Sequence, residues 1–282
     1  MGARLEAGFQ VLAVAGAARD AGVAWAAIVG GYVRDRLLGV PSVDLDIVVP
    51  EGGAAVASRV AEALGGKVVV PSRWRQWMVP AGPLRVDITE AADLETDLMR
   101  RDFTVNAIAW TVLPMDQRPL DALDGSGDLE AARLELCSPT ALSDDPARVL
   151  RAARLAASGL TPSGRVLEAS RRAARAFGDV PLDRVRVEWG RLAHAPRPQA
   201  GLELLVSSGA LASWLDCEVA PRAPEWTDLP GHPREVSMAW AVWCSLGTCR
   251  PAAGTVGVRL GLGAAERESL AQLAARPCAS PE

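Results

Sequence analysis

The sequence predicts an α+β protein: a head of mixed sheet and helices over residues 1–136, followed by an all-helical remainder. Three observations point there. Short apolar runs alternate with helical patterns from the first residue to about 113. After Leu142 the strand signals vanish, and Ala, Arg and Leu dominate. A Pro-rich break at 221–233 (PRAPEWTDLPGHP) then sets off about fifty residues able to form a last helical unit. Helical units over 137–220 and 221–282 are therefore expected.

Element by element, residues 5–21 carry apolar positions at helical spacing. WAAIVGG reads as a short apolar strand ending in Gly30 and Gly31, and YVRDRLLG as a helix of about two turns stopped by Gly39 and Pro41. VDLDIVVP is a strand with acids at alternate positions, closed by Pro50. Residues 53–65 return to a helix, and KVVVP and PLRVDIT are two further strands. LETDLMRRDFTVNAIAW begins as a helix with acid–base pairs at helical spacing. In SRWRQWMVP, Trp74 and Trp77 sit among arginines, which suits either a platform for stacked bases or packing at a strand end.

Composition narrows the class. Hydrophobic residues make up 49% of the chain, enough for a packed core and unlike a disordered composition. The longest apolar run beyond residue 235 (VSMAWAVWCSLG) is about a dozen residues, too short to span a bilayer. No basic segment leads into an apolar one at the N-terminus, so no secretory signal is expected. The five cysteines are odd in number and include no CxxC, which argues against a disulfide framework or a zinc site. The expectation is a reduced, cytoplasmic protein with no membrane partner. A net charge of −4 speaks weakly against a polyanion, but from Pro146 to Ala200 eleven arginines face four acids. That segment is either a solvated helix face or an electrostatic footprint for nucleic acid. His194 and His232 are isolated and read as surface or packing residues.

The chemistry concentrates in GGYVRDRLLGVPSVDLDIVV, residues 30–49. Side chains two apart in a strand share a face, so Asp44 and Asp46 project together, about 6–7 Å apart along the backbone. Carboxylates that close repel unless a cation neutralises them. Mg²⁺ suits the pair, because it takes oxygen ligands and is commonly bound by one or two carboxylates plus substrate phosphates. Upstream, Gly30 and Gly31 stand where a strand meets a helix start, where bare N–H groups can approach a triphosphate. Taken singly, the glycines also fit an ordinary turn and the acids a solvated strand edge. Asp145 and Arg148 in SDDPARVLR are three apart at a helix start and share a face. A carboxylate beside a guanidinium can read the amino donor and adjacent acceptor that cytosine and adenine both present. The same two residues also fit an N-cap with a local ion pair.

Glycines and acids together, IVGG followed after twelve residues by VDLDI, resemble the nucleotidyltransferase signature of the DNA polymerase β superfamily. RRDFTVNAIAW, LDALDGSGDLEA, SDDPARVLRAARLAA and LDRVRVEWGRL are similar to four ordered motifs of class II tRNA nucleotidyltransferases and bacterial poly(A) polymerases. The likeness runs from about residue 24 to 215. It implies a polymerase-β-like nucleotidyltransferase head with a helical neck and body. It further implies Mg²⁺-dependent transfer from CTP, or ATP, to the 3′ end of tRNA. Asp44 and Asp46 would be metal ligands and Asp87 a third carboxylate, with a surface position as the other reading for Asp87. Gly30, Gly31 and Arg34 would lie at the phosphates, Arg101 and Asn106 on the nucleotide, and Asp145 and Arg148 would serve as the template that reads the base. Arg151 and Arg154 continue the same helix, as nucleotide contacts or as partners of buried acids. In the motif of LDRVRVEWGRL the matching residues are Asp183, Arg184 and Glu188.

Two departures from the family pattern refine the expectation. Between the Asp87 strand and RRDFT lie only about a dozen residues, TEAADLETDLMR. Enzymes of this family that build the whole CCA end carry a longer loop there, and its loss goes with adding CC alone. The likeness also fades beyond 236, so a large tRNA-gripping tail is not expected. The readings carried forward are a CC-adding enzyme; a full CCA-adding, A-adding or poly(A)-synthesising enzyme; a noncatalytic RNA-binding protein; and a transferase acting on a small molecule, which would need no DDPAR helix.

Overall fold

The computed structural model describes residues 8–70, 76–116, 118–219, 228–246 and 251–275. The chain divides into two compact units, Met1–Ala131 and Ala132–Glu282.

In the first unit, α1 (Phe9–Asp20) is followed by β1 (Ala26–Val29), α2 (Gly31–Leu37), β2 (Asp44–Val49) and α3 (Gly53–Leu64). Then come β3 (Gln76–Ala81), β4 (Leu84–Glu90), α4 (Leu94–Met99), β5 (Ala109–Leu113) and α5 (Gly125–Glu130). The five strands form one sheet in the order β3-β4-β2-β1-β5. The β2–β4 pair is parallel and every other pair is antiparallel, so the sheet is mixed as expected.

Alternation along the strands decides which face is which. Leu45, Ile47, Val86 and Ile88 are buried in a core shared with Val11 and Val14 of α1 and Val56 and Val60 of α3. Asp44, Asp46 and Asp87 alternate with those residues along the strands and so share the opposite face. Slipping β2 and β4 by one residue would bury three carboxylates and expose four aliphatic side chains, each worth about 1.5–3 kcal/mol of burial. The core therefore fixes where the acids point.

The second unit opens with β6 (Arg133–Leu134), α6 (Ala141–Asp144), α7 (Arg148–Ala157) and β7 (Thr161–Pro162). It continues with α8 (Gly164–Ala173), α9 (Leu182–Ala193), α10 (Pro198–Ser207) and α11 (Ala210–Leu215), then α12 (Arg234–Cys244), α13 (Ala253–Arg259) and α14 (Ala264–Ala274). Its centre includes Phe177 and Trp189, each edge-on to Trp214 with ring centroids 5.2 and 5.9 Å away.

Four expectations need correction. KVVVP is not a strand: Val69 makes a single bridge to Met78, and Val68, Val69 and Val70 stay exposed with no core to cover them. Residues 76–81 and 109–113 are strands that the alternation did not reveal. Strand does not vanish from the helical half, because Thr161–Pro162 pairs in parallel with Arg133–Leu134. Asp145 is not in a helix: it is extended, at φ −147° and ψ 95°, and α7 begins three residues later. Trp77 is partly buried against the core of the first unit, which favours packing over base stacking. Trp74 and residues 221–227 of the Pro-rich break lie outside the described residues, as do Cys249 and Cys278.

Candidate active site

Gly30 ends β1 and starts α2. Its φ of 76° and ψ of −141° lie in a region that only glycine occupies without strain. The preceding residue, Val29, is the antiparallel partner of Asp46, which places Gly30 at the acid-bearing end of the sheet. A Cβ added to Gly30 would stand 3.0 Å from Asp46 Oδ2 and 3.1 Å from an Nη1 of Arg101. Gly30 is thus a bare stretch of backbone flanked by a carboxylate on one side and a guanidinium on the other.

The acids line up across two strands. Asp44 and Asp46 are partnered in parallel register by Arg85 and Asp87. Arg85 Nε lies 2.9 Å from Asp87 Oδ2. Burial pushes the Asp87 carboxyl above the usual range; Arg85 opposes the rise and the Asp44 charge adds to it. The same face thus carries three carboxylates, with Arg85 paired to Asp87. Among the described residues no three carboxylate, imidazole or thiol groups converge closely enough to hold an ion on their own. A divalent ion bound by Asp44 and Asp46 would therefore complete its shell with phosphate oxygens, the usual habit of Mg²⁺. The pair of carboxylates beside uncovered backbone fits such an ion, and Asp44 and Asp46 are the residues that would hold it.

Arg101 is held from behind. Its Nε and Nη2 donate to Asp97 Oδ2 at 3.0 and 2.9 Å, one helical turn away across the end of α4. That leaves Nη1 as the edge turned toward Gly30. Arg34 is committed within the frame: Nη1 donates to Asn106 Oδ1 at 2.6 Å, and Nε and Nη2 donate to Asp35 at 3.0 and 2.6 Å. Asn106 Nδ2 donates in turn to Asp102 Oδ1 at 3.1 Å, and Asp102 is buried. The RRDFT segment therefore braces the start of α2 through Asn106 and offers one guanidinium edge to the crevice. Asp121 and Asp128 are structural. Asp121 accepts from the N–H groups of Gly125 and Ser126, and buried Asp128 accepts from the Thr104 hydroxyl. Gly31 lies at the first position of α2, 3.5 Å from Arg34 when given a Cβ.

The second unit carries its own polar cluster. Asp145 Oδ1 and Oδ2 accept from the two Nη atoms of Arg184 at 2.9 and 2.7 Å, a bidentate fork. The Ala147 N–H also donates to Oδ1, at 3.2 Å. Arg148 Nε is 3.8 Å from Oδ2, an ion pair beyond hydrogen-bond reach, while its Nη1 donates to the Ala141 carbonyl. Burial pushes the Asp145 carboxyl up. The Arg184 hydrogen bonds and charge, with Arg148 behind them, outweigh it and hold the group below the usual range. Arg151 and Arg154 both bridge to Glu188 of α9, at 3.4 and 2.8 Å. Two residues that bear on these clusters carried no assigned role in the sequence: Asp97, whose signal was its spacing of four from Arg101, and Arg184, which stood in a matched motif.

Residues 69–135 match the family model "Poly A polymerase head domain", and residues 159–217 match "Probable RNA and SrmB- binding site of polymerase A". The CC-adding tRNA nucleotidyltransferase of Synechocystis sp. is 36% identical over 197 residues, 67% of this chain and 46% of that protein. The A-adding tRNA nucleotidyltransferase of Deinococcus radiodurans is 36% identical over 193 residues, 66% of this chain and 44% of that protein. The chain thus spans less than half the length of these relatives. Among solved structures, a tRNA-processing enzyme in apo form superposes with a TM-score of 0.77 at 22% identity, covering 96% of this chain and 79% of that one. The Thermotoga maritima CCA-adding enzyme complexed with tRNA gives 0.73 at 20% identity, covering 95% and 68%. At those identities the structures establish the fold, and over about two thirds of its length the chain is similar to tRNA nucleotidyltransferases, with residues 69–135 resembling a poly A polymerase head domain.

Proposed function

We propose that the chain transfers cytidylyl groups from CTP to the 3′ end of tRNA, adding CC and stopping there. The observation that carries the reading is Gly30, bare backbone at φ 76° with Asp46 and Arg101 about its missing side chain. A triphosphate laid on that backbone meets the guanidinium edge of Arg101 and brings its oxygens to the carboxylate side. Asp44 and Asp46 would hold Mg²⁺ there, and the ion would supply positive charge for the phosphate oxygens and the leaving group. The tRNA 3′ hydroxyl oxygen bonds to the α-phosphorus as the bond to pyrophosphate breaks. Asp87, whose raised pKa suits a proton acceptor, takes the hydroxyl proton. Asp145 and Arg148 read the amino group and the neighbouring acceptor of the base.

The restriction to CC rests on the link between β4 and α4, which runs only from residue 91 to 93. No room exists there for the long loop that goes with building the whole CCA end. The CC-adding relative supports this choice. A-adding transfer is the second reading, favoured by A-adding relatives at the same 36% identity.

Incubating the protein with tRNA ending at the discriminator base, and separately with tRNA ending in CC, tests both. CTP should extend the first by two nucleotides even when ATP is present, and the second should stay unextended. A single adenylate on the CC-ended tRNA would establish the A-adding reading instead. Long ATP ladders independent of tRNA would mark a poly(A) polymerase, and tRNA binding with no incorporation an RNA-binding protein without catalysis.

A further inference from the structure

The Asp145 carboxylate has four lone-pair positions, and the contacts around it allot them unequally. Oδ1 accepts twice, from Arg184 at 2.9 Å and from the Ala147 N–H at 3.2 Å. Oδ2 accepts once, from Arg184 at 2.7 Å, and Arg148 approaches the same oxygen at 3.8 Å without bonding. We propose that Arg184 is the positioning residue for base selection: its fork fixes the plane of the Asp145 carboxylate so that Oδ2, on the side of Arg148, is the atom that takes the exocyclic amino group of the incoming nucleotide. This rests on the transferase reading above and deepens it by naming the accepting atom and the group that aims it.

Three features favour a positioning role over an incidental surface ion pair. The contact joins residues 39 apart in sequence, the approach to α7 and the first turn of α9, so it ties two elements together. It is bidentate, and a planar fork sets orientation where a lysine would supply only charge. It also acts on an extended residue outside any helix, whose side chain no helical packing would otherwise orient. With 43% of the Arg184 side chain exposed, its contribution to stability is small, so loss of aim and loss of fold are separable.

The test uses the full chain, with tRNA ending at the discriminator base. Initial rates with CTP, ATP and UTP are measured for wild type, Arg184→Ala and Arg184→Lys, alongside melting temperature and tRNA affinity. UTP is the informative competitor, because uracil presents an acceptor where cytosine presents the amino group. Arg184→Ala should raise KM for CTP and lower the CTP-over-UTP preference by about tenfold or more, since each misaligned base contact carries that order of discrimination. Its tRNA affinity should be unchanged. Arg184→Lys, which keeps the charge and loses the fork, should recover only part of the preference. Should Arg184→Ala melt early, the lysine variant carries the same comparison. An unchanged CTP-over-UTP ratio in either folded variant overturns the inference, as does a loss confined to tRNA affinity, which would make Arg184 a phosphate contact. Wild type inert with all three nucleotides overturns the transferase reading itself, an outcome distinct from either of these.

Discussion

Asp46 of β2 and Asp87 of β4 are direct partners in a parallel register, with Asp44 two residues earlier on the same face. The core on the other face fixes the direction of all three carboxylates, and on the reading proposed above Asp44 and Asp46 are the two that would hold a cation. Asp46→Asn should therefore lower nucleotide incorporation by at least about a thousandfold, the scale expected when the charge that holds a catalytic metal is lost. Adding Mg²⁺ with CTP should raise the melting temperature of wild type and leave that of Asp46→Asn where it was. EDTA should abolish incorporation by wild type, and excess Mg²⁺ should restore it. Activity that survives Asp46→Asn would mean that phosphate charge is neutralised elsewhere.

Gly30→Ala asks whether the backbone between Asp46 and Arg101 must be bare. The new Cβ would meet Asp46 Oδ2 at 3.0 Å and Arg101 Nη1 at 3.1 Å, in a conformation that costs about 1–3 kcal/mol for any residue but glycine. Gly39 is the control. Its φ is also positive, at 70°, but nothing lies within 4 Å of a Cβ there. Both variants should melt earlier than wild type. Only Gly30→Ala should raise KM for CTP, by about tenfold or more, because only there does the methyl fill space the triphosphate needs. Equal kinetics in the two variants would remove Gly30 from the phosphate site.

Two aspartates make opposite predictions for stability against pH. The Asp87 carboxyl is held above its ordinary range by burial, against the pull of Arg85. Its ionisation is therefore a cost to the folded state, absent below the unfolded pKa of about 3.9 and growing as pH rises through the folded value. Asp145 is the reverse: burial pushes it up, but Arg184 and Arg148 hold it down overall, so it stabilises the fold above about 3.9 and loses that contribution as pH falls through its folded value. In EDTA at neutral pH, Asp87→Asn should melt above wild type and Asp145→Asn below it. The Asp87 gap should narrow as the pH drops toward 4, whereas the Asp145 gap should persist to about 4 and narrow only below it. Melting curves from pH 8 down to about 2 decide it, and gaps of the same sign at neutral pH would refute the assignment.

How much of this was legible in the sequence depended on whether the signal was local. The strand over Asp44–Val49 was readable because its apolar residues alternate with acids, and α2 because Gly39 and Pro41 stop it. The strands over Gln76–Ala81 and Ala109–Leu113 were missed. The first includes Pro80 and lies at the sheet edge, bridged on its outer side at Met78 by Val69, so the pattern blurs; the second is almost wholly apolar and has no alternation to show. KVVVP had the composition of a strand but only one bridging partner, which no local pattern reports. The acids, the glycines and the Asp145–Arg148 pair were each singled out from spacing. What holds them was less visible. The Arg184 fork on Asp145 and the Arg34–Asn106 bond span 39 and 72 residues, distances at which single-sequence periodicity carries no information.

Glu188 separates structure from chemistry in the arginine-rich neck. Its side chain is 10% exposed and bridges both Arg151 and Arg154, the latter at 2.8 Å. The two arginines are also candidates for nucleotide contact, and the bridges give a way to tell the roles apart. Glu188→Gln removes the charge and keeps the shape, leaving two guanidinium groups beside a neutral amide in a largely dry setting. The cost should be about 3 kcal/mol, the lower end for a broken buried pair, because Arg151 is partly open to water. Arg154→Ala should cost a similar amount, since it strands the carboxylate, whereas Arg151→Ala should cost less than half as much. If Arg151 touches nucleotide, its alanine variant will raise KM for CTP while melting close to wild type. If KM stays level, the residue serves only to balance Glu188. Denaturant unfolding of the three variants beside CTP titrations provides both readings, and a Glu188→Gln variant as stable as wild type would show that the bridges do not hold α7 to α9.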